Sequence, residues 1–189
     1  MKSVLISIQP KWCELIANGK KTVEVRKSKP KLETPFKCYI YQTKMQWVYS
    51  VLRNMGLHKL VNKLALGTGK VIGEFVCDKI TMSFVGYNEK GCPSYWDILD
   101  GSCLTPNELV CYGEWKTLYG WHISNLVIYD KPRELSEFRK ECKLECDMRS
   151  LDNPPCEKCE HLVASFGCGR TITRPPQSWC YVESEVEGE

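Results

Sequence analysis

Apolar and polar positions divide most of the chain into a short series of elements. Ser3 to Ile8 (SVLISI) is apolar almost throughout and reads as a buried strand. Pro10 then opens a short helix at a position where its missing N–H costs nothing. Trp12, Leu15 and Ile16 give that helix an apolar stripe, and Asn18-Gly19 stops it. From Thr22 to Arg26 polar and apolar residues alternate, so Val23 and Val25 face one way and Thr22, Glu24 and Arg26 the other. Pro30 and Pro35 bracket a loop, after which Lys37 to Gln42 reads as a third strand. Residues 47 to 66 are apolar at helical spacing, with Gly56 as a break and Arg53, His58, Lys59 and Lys63 on the polar face. Lys70 to Asp78, which carries Glu74, is a fourth strand, and Trp121 to Tyr129 a fifth. Between them, residues 86 to 120 are rich in Gly, Pro and aromatics and read as irregular. Pro132 starts a short helix (ELSEFRK), and the acidic end from Val182 reads as disordered. The order β-α-β-β-α-β with later strands predicts an α+β fold, a small and mostly antiparallel β-barrel decorated by helices.

Composition adds little to this picture, with 43% hydrophobic and 26% charged residues in 189. No apolar run approaches the roughly 18 residues of a membrane span. The first residues lack the apolar stretch of a signal peptide, so a cytoplasmic protein is expected. Charge is more informative. The formal net charge is only +3, yet residues 1 to 73 hold 14 Lys and Arg against three acids, a net of +11, and the remainder carries −8. Such segregation favours a polyanionic partner on the basic side.

Twelve cysteines in a chain without a secretory signal point to metal ligation or free thiols. Cys13, Cys38, Cys77, Cys92, Cys103 and Cys111 are isolated and read as small buried hydrophobes. The other six lie between Cys142 and Cys180. Cys156-Glu157-Lys158-Cys159 lets two thiolates grip one tetrahedral ion, and Pro154-Pro155 favours a tight turn before it. With Cys168 downstream and Cys146 or Cys142 upstream, the set is expected to close a four-sulfur structural zinc knuckle, the alternatives being a redox pair or reduced thiols without metal. His161, two positions past Cys159, would be a substitute ligand. The remaining histidines, His58 and His122, have no evident catalytic partners. Gly67-Thr68-Gly69-Lys70 is a Gly-rich turn and not a phosphate-binding loop, because Val71 stands where Ser or Thr is required.

Two segments carry candidate chemistry. In Lys20-Lys21-Thr22-Val23-Glu24-Val25-Arg26 a carboxylate stands among cations. This is either a solvated pair, worth under about 1 kcal/mol, or the floor of an anion-receiving cleft. Arg174-Pro175-Pro176-Gln177-Ser178-Trp179 combines a rigid turn with a guanidinium for phosphate, an amide for a base edge and an indole for stacking. Alternatively, it is a strap that packs Trp179 and Val182 onto the barrel.

LISIQPKWCELIANGKKTVEVRK resembles the ASCH domain, a branch of the PUA-like superfamily. Its Gly-x-Lys-x-x-Glu-x-Arg pattern is present as Gly19, Lys21, Glu24 and Arg26. GKVIGEFVCDKI and GWHISNLVIYDKP resemble later strands of that fold, and RPPQSWCYVE is similar to the ending of phage and gut-bacterial members. The resemblance implies a PUA-like barrel over residues 1–135, a Cys-rich insertion over 136–170, a returning strap over 171–183 and an acidic tail over 184–189. It further implies RNA or modified-nucleotide binding in a Lys-Glu-Arg cleft. Lys20, Lys21, Arg26 and Arg174 would then serve phosphate, Gln177 a base edge, and Trp121 or Trp179 stacking. An enzymatic alternative uses Lys21 as base, Glu24 for proton transfer and Arg26 beside them, acting on RNA or on an N-acylated nucleoside. The branch that hydrolyses acetylated cytidine has a threonine where this chain has Glu24, and Thr22 lies two residues early. A third reading is a protein-interaction domain built on the zinc knuckle, with Cys146, Cys156, Cys159 and Cys168 as ligands.

Overall fold

The computed structural model describes residues 2–44, 54–56, 68–84, 96–114, 116–140 and 171–183. The elements in chain order are β1 (Lys2–Ile8), α1 (Pro10–Ala17), β2 (Val23–Arg26), β3 (Phe36–Gln42), β4 (Val71–Phe84), α2 (Trp96–Leu99), α3 (Pro106–Gly113), β5 (Thr117–Arg133) and β6 (Trp179–Glu183). A single 3-10 turn, Leu135–Glu137, follows β5. The helix expected over 47–66, apart from residues 54–56, and the acidic end from Ser184 lie outside the described residues, whereas Val182 and Glu183, read as the start of a disordered end, are the last residues of β6.

The six strands form one mixed sheet in the order β2-β5-β4-β3-β1-β6. β1 runs parallel to β3, and every other pairing is antiparallel. The ladder is not closed into a barrel, since β2 and β6 stand as its two edges. The sheet curls instead. Arg26 Nη2 of edge strand β2 donates to Ser7 O of β1 at 2.6 Å, and Trp179 of β6 meets Trp121 of β5 with ring centroids 5.9 Å apart.

β1 is buried on both faces, which explains its nearly unbroken apolar sequence. Val4, Ile6 and Ile8 join Phe36, Cys38, Ile40, Phe75 and Trp121 in the main core, while Leu5 packs with Tyr39, Phe138 and Val182 on the other side. β2 alternates as its sequence requires. Val23 and Val25 enter a third cluster with Ile98, Leu109 and Leu118, and this cluster seats α2 and α3 on the sheet.

Several elements differ from expectation for local reasons. The stretch read as irregular contains α3, which starts with Thr105 as N-cap, Pro106 in its first turn and a reciprocal Thr105–Glu108 capping box. β4 runs on to Phe84 and β5 to Arg133, so Pro132 ends a strand and the helix expected there shrinks to the 3-10 turn. Cys103 and Cys111 are exposed, against the expectation of buried thiols, whereas Cys13, Cys38 and Cys77 are buried. Among the described residues no helix is long and apolar enough to cross a membrane.

Candidate functional site

Strand alternation sends Glu24 and Arg26 to the face opposite Val23 and Val25, and Lys21 joins them from the turn before the strand. All three are buried, with 3% of Lys21, 5% of Glu24 and 9% of Arg26 exposed. The solvated-pair reading is therefore incorrect. Glu24 bridges the two cations, with Oε1 2.9 Å from Arg26 Nη2 and Oε2 3.4 Å from Lys21 Nζ. Lys21 Nζ also donates to Val23 O at 2.8 Å and Ser102 O at 2.6 Å. Burial lowers the Lys21 pKa, and the neighbouring Glu24 carboxylate opposes that shift. Both partners of the Arg26 guanidinium meet Nη2. Its Nε is buried with no hydrogen-bond partner among the described residues.

The turn before β2 is tied to residues far along the chain. Thr22 N and Val23 N both donate to Gly101 O, at 2.8 and 3.0 Å. Gly101 has φ +72°, and a β-carbon there would overlap Thr22 Oγ1. Gly101→Ala is expected to lower stability by about 1–3 kcal/mol and to disturb Lys21, because the same loop supplies Ser102 O to its ammonium. Chemical denaturation checks the effect, and unchanged stability would show that the loop accommodates a β-carbon at this position.

Lys21, Glu24 and Arg26 lie along a cleft of about 720 Å³, a size in the range of small-ligand sites. Helix α3 forms one wall with Glu108, Cys111 and Tyr112, which the i, i+3, i+4 spacing places on one helix face. Trp12 of α1 forms another wall, with Lys21 Nζ 5.1 Å from its ring centroid. Pro175, Pro176 and Gln177 border the cleft, held there by Ser7 Oγ donating to Pro176 O at 2.7 Å and Ser7 N to Ser178 O at 2.9 Å. Glu108 is at the rim, where its carboxylate accepts from Thr105 N at 2.8 Å.

Of the residues singled out in the sequence, Lys21, Glu24, Arg26 and Gln177 thus line the cleft. Lys20 is exposed and borders a separate shallow hollow with Thr22, Asp100 and Gly101. Arg174 is exposed and is not among the cleft-lining residues. Trp121 is fully buried, edge-on to Phe36 and tilted against Trp179, so it offers no face for stacking. Trp179 is half-buried, packs on Tyr181 and donates Nε1–H to Ser28 Oγ at 3.0 Å, away from the cleft lining. The aromatic walls are Trp12 and Tyr112 instead. Cys142, Cys146, Cys156, Cys159, Cys168, His58 and His161 lie outside the described residues. Among the described residues no cluster of three metal-ligating side chains occurs. His122 is part-buried, its Nε2 2.7 Å from Thr81 Oγ1, with its pKa lowered by burial.

The fold is thus a curled mixed sheet whose N-terminal strand-helix-strand unit carries a Lys-Glu-Arg cleft. The ASCH domain family model matches residues 6–144, and the chain belongs to that family. The crystal structure of ASCH from Zymomonas mobilis is similar to this one, with TM-score 0.56 and 19% identity, over 97% of this chain and 89% of that one. A Tyr-to-Phe mutant of the same protein aligns with TM-score 0.55 and 18% identity, over 97% and 91% of the two chains. A Ser-to-Ala mutant gives 0.55 and 18%, over 96% and 88%. At such identity the likeness establishes a shared fold. No curated protein matches the sequence.

Proposed function

We propose that this chain binds RNA or a modified nucleotide in the cleft floored by Lys21, Glu24 and Arg26. The observation that carries this reading is a charge imbalance. Two cations and one carboxylate, none with a side chain more than 10% exposed, face a cleft large enough for a nucleotide. A buried excess cation is costly until an anion neutralises it. Arg26 would meet phosphate, Trp12 and Tyr112 would stack on a base, and Gln177 would read a base edge. Lys20 and Arg174, both outside the cleft lining, would serve neighbouring phosphates. Six unpaired cysteines among the described residues support a reducing, cytoplasmic setting for this activity. The relation to phage and gut-bacterial members rests on the RPPQSWCYVE ending alone.

Fluorescence anisotropy with a single-stranded RNA oligomer at several salt concentrations tests the proposal. Binding should weaken as salt rises, with a log–log slope of about −0.7 per phosphate contact. No binding at low salt would refute it.

A second reading is hydrolysis of RNA or of an N-acylated nucleoside. The lowered pKa of Lys21 favours it, since a base must release its proton near neutrality. The three acceptors around Nζ weigh against it, because they hold the ammonium form. Glu24→Gln distinguishes the readings. An enzyme loses turnover by about a hundredfold or more while still binding, whereas a binding module has no turnover to lose.

A structural zinc ion on Cys156, Cys159, Cys168 and either Cys146 or Cys142 belongs to the same proposal and rests on ligand spacing. Such a knuckle would also give the protein-interaction reading its surface. Elemental analysis of protein purified without added zinc should find about one equivalent, and Cys156→Ser should lose it and destabilise the surrounding chain. A metal-free preparation of undiminished stability would remove zinc from the account.

A further inference from the structure

We propose that the cleft is built for a ligand group bearing one negative charge, so that among phosphate esters it selects an internal phosphodiester over a terminal phosphomonoester. This rests on the nucleotide-binding reading above and adds which part of a nucleic acid the site takes. The argument is a charge count at the cleft floor. Lys21 and Arg26 contribute two positive charges, and Glu24 lies between them within 3.4 Å of Nζ and 2.9 Å of Nη2. The floor therefore carries one excess positive charge in a setting almost closed to water.

Among the described residues, the other charges at the cleft wall and rim do not alter that count. Glu108 is exposed at the rim, and Thr105 N and Oγ1 hold its carboxylate at 2.8 and 2.9 Å. Lys11 is also exposed, with Nζ 4.3 Å from the Trp12 ring centroid. Water solvates both groups, so neither can balance a charge buried below them.

A phosphodiester brings the floor to neutrality. A phosphomonoester, doubly charged above its second pKa of about 6, leaves one negative charge in excess beside Glu24. It must also shed a larger hydration shell to enter. Repulsion and desolvation therefore both act against the dianion. The Arg26 Nε fits the same picture, since it is a donor that no acceptor among the described residues uses.

The test uses matched pairs, each ribonucleoside 5′-monophosphate and its 5′-(methyl phosphate) diester, titrated calorimetrically at low salt at pH 7.5 and pH 5.5. Base and sugar are identical within a pair, so only the phosphate charge differs. At pH 7.5 the diester should bind about tenfold more tightly. At pH 5.5 the monoester is mostly a monoanion, and the gap should close to about twofold. No histidine lines the cleft among the described residues, and the cap from Thr105 holds the Glu108 carboxyl below its ordinary range. The diester should therefore bind equally at both pH values, which confirms that the ligand alone is titrating.

Equal or tighter binding of the monoester at pH 7.5 overturns the charge inference and leaves nucleotide binding standing. An unphosphorylated nucleoside binding as tightly as the diester also overturns it. If no nucleotide binds at all, both readings fall together. Glu24→Gln adds a second arm by raising the floor to two excess positive charges. If this variant folds, its preference should reverse toward the monoester, and an unchanged preference counts against the proposal.

Discussion

Glu24→Gln is expected to destabilise the protein by about 3–5 kcal/mol, the cost of removing one partner from a buried ion pair. The side chain is isosteric, so neither a cavity nor a clash contributes. What changes is that Lys21 and Arg26, with side chains 2% and 10% exposed, lose the carboxylate between them. Their other partners are the backbone carbonyls of Val23, Ser102 and Ser7, which cannot neutralise two buried cations. On a solvated strand face the same change would cost under about 1 kcal/mol, so the magnitude itself reports burial. Glu114→Gln is the control, because its pair with Lys27 is exposed on both sides. Urea denaturation of the three proteins compares them directly. Equal stability of Glu24→Gln and the parent would mean that water or another counter-charge reaches both Lys21 and Arg26, and the buried excess charge assigned to the cleft would disappear.

Alternation in Val23-Glu24-Val25-Arg26 was sufficient to place the strand and assign its faces, and both assignments match the structure. The burial of the polar face was not legible, because its cover comes from far along the chain. Helix α3 begins 80 residues after Arg26, and Pro175 to Gln177 follow later still. A local signal for α3 existed in Thr105-Pro106-Asn107-Glu108, but the surrounding Gly, Pro and aromatic residues outweighed it. Trp121 lies in the strand its period predicts and is fully buried, since sequence period alone does not distinguish a core indole from a cleft indole.

Barrel closure failed as an expectation for a similar reason. It depends on whether β2 and β6 meet, and no pattern within either strand encodes that. The charge asymmetry along the sequence is also smaller in space than in order. Lys27 pairs with Glu114, Lys37 with Glu74 and Lys70 with Glu134, each joining the basic first part of the chain to the acidic remainder. The excess that matters at the cleft is a single buried charge.

Stability should fall steeply in alkali, because several buried thiols must stay protonated for the protein to remain folded. Burial pushes Cys13 and Cys77 from 9.0 up to about 12, with Glu24 adding to the effect at Cys13 and Asp78 at Cys77. Cys38 is also raised well above its ordinary value, chiefly by burial. The sign follows from proton linkage. Above pH 9 an unfolded thiol releases its proton while the folded one keeps it, so rising pH favours the unfolded chain. The contribution is complete below pH 9 and is lost progressively up to about pH 12. Each thiol weakens folding by about 1.4 kcal/mol per pH unit within that window. By pH 10.5, Cys13 and Cys77 together should remove about 4 kcal/mol relative to pH 7.5, a large share of a typical domain's stability. Lys21 acts in the opposite sense below 10.5, since its lowered pKa lets the folded state release a proton first, but it is one group against several. Urea midpoints measured under reductant from pH 7.5 to 10.5 give the slope. Cys77→Ala should start from lower stability, because it opens a small cavity beside Phe36, yet decline less steeply by about one thiol's share. A flat profile between pH 9 and 10.5 would mean that water reaches these thiols and that the core around β3 and β4 is looser than the structure places it.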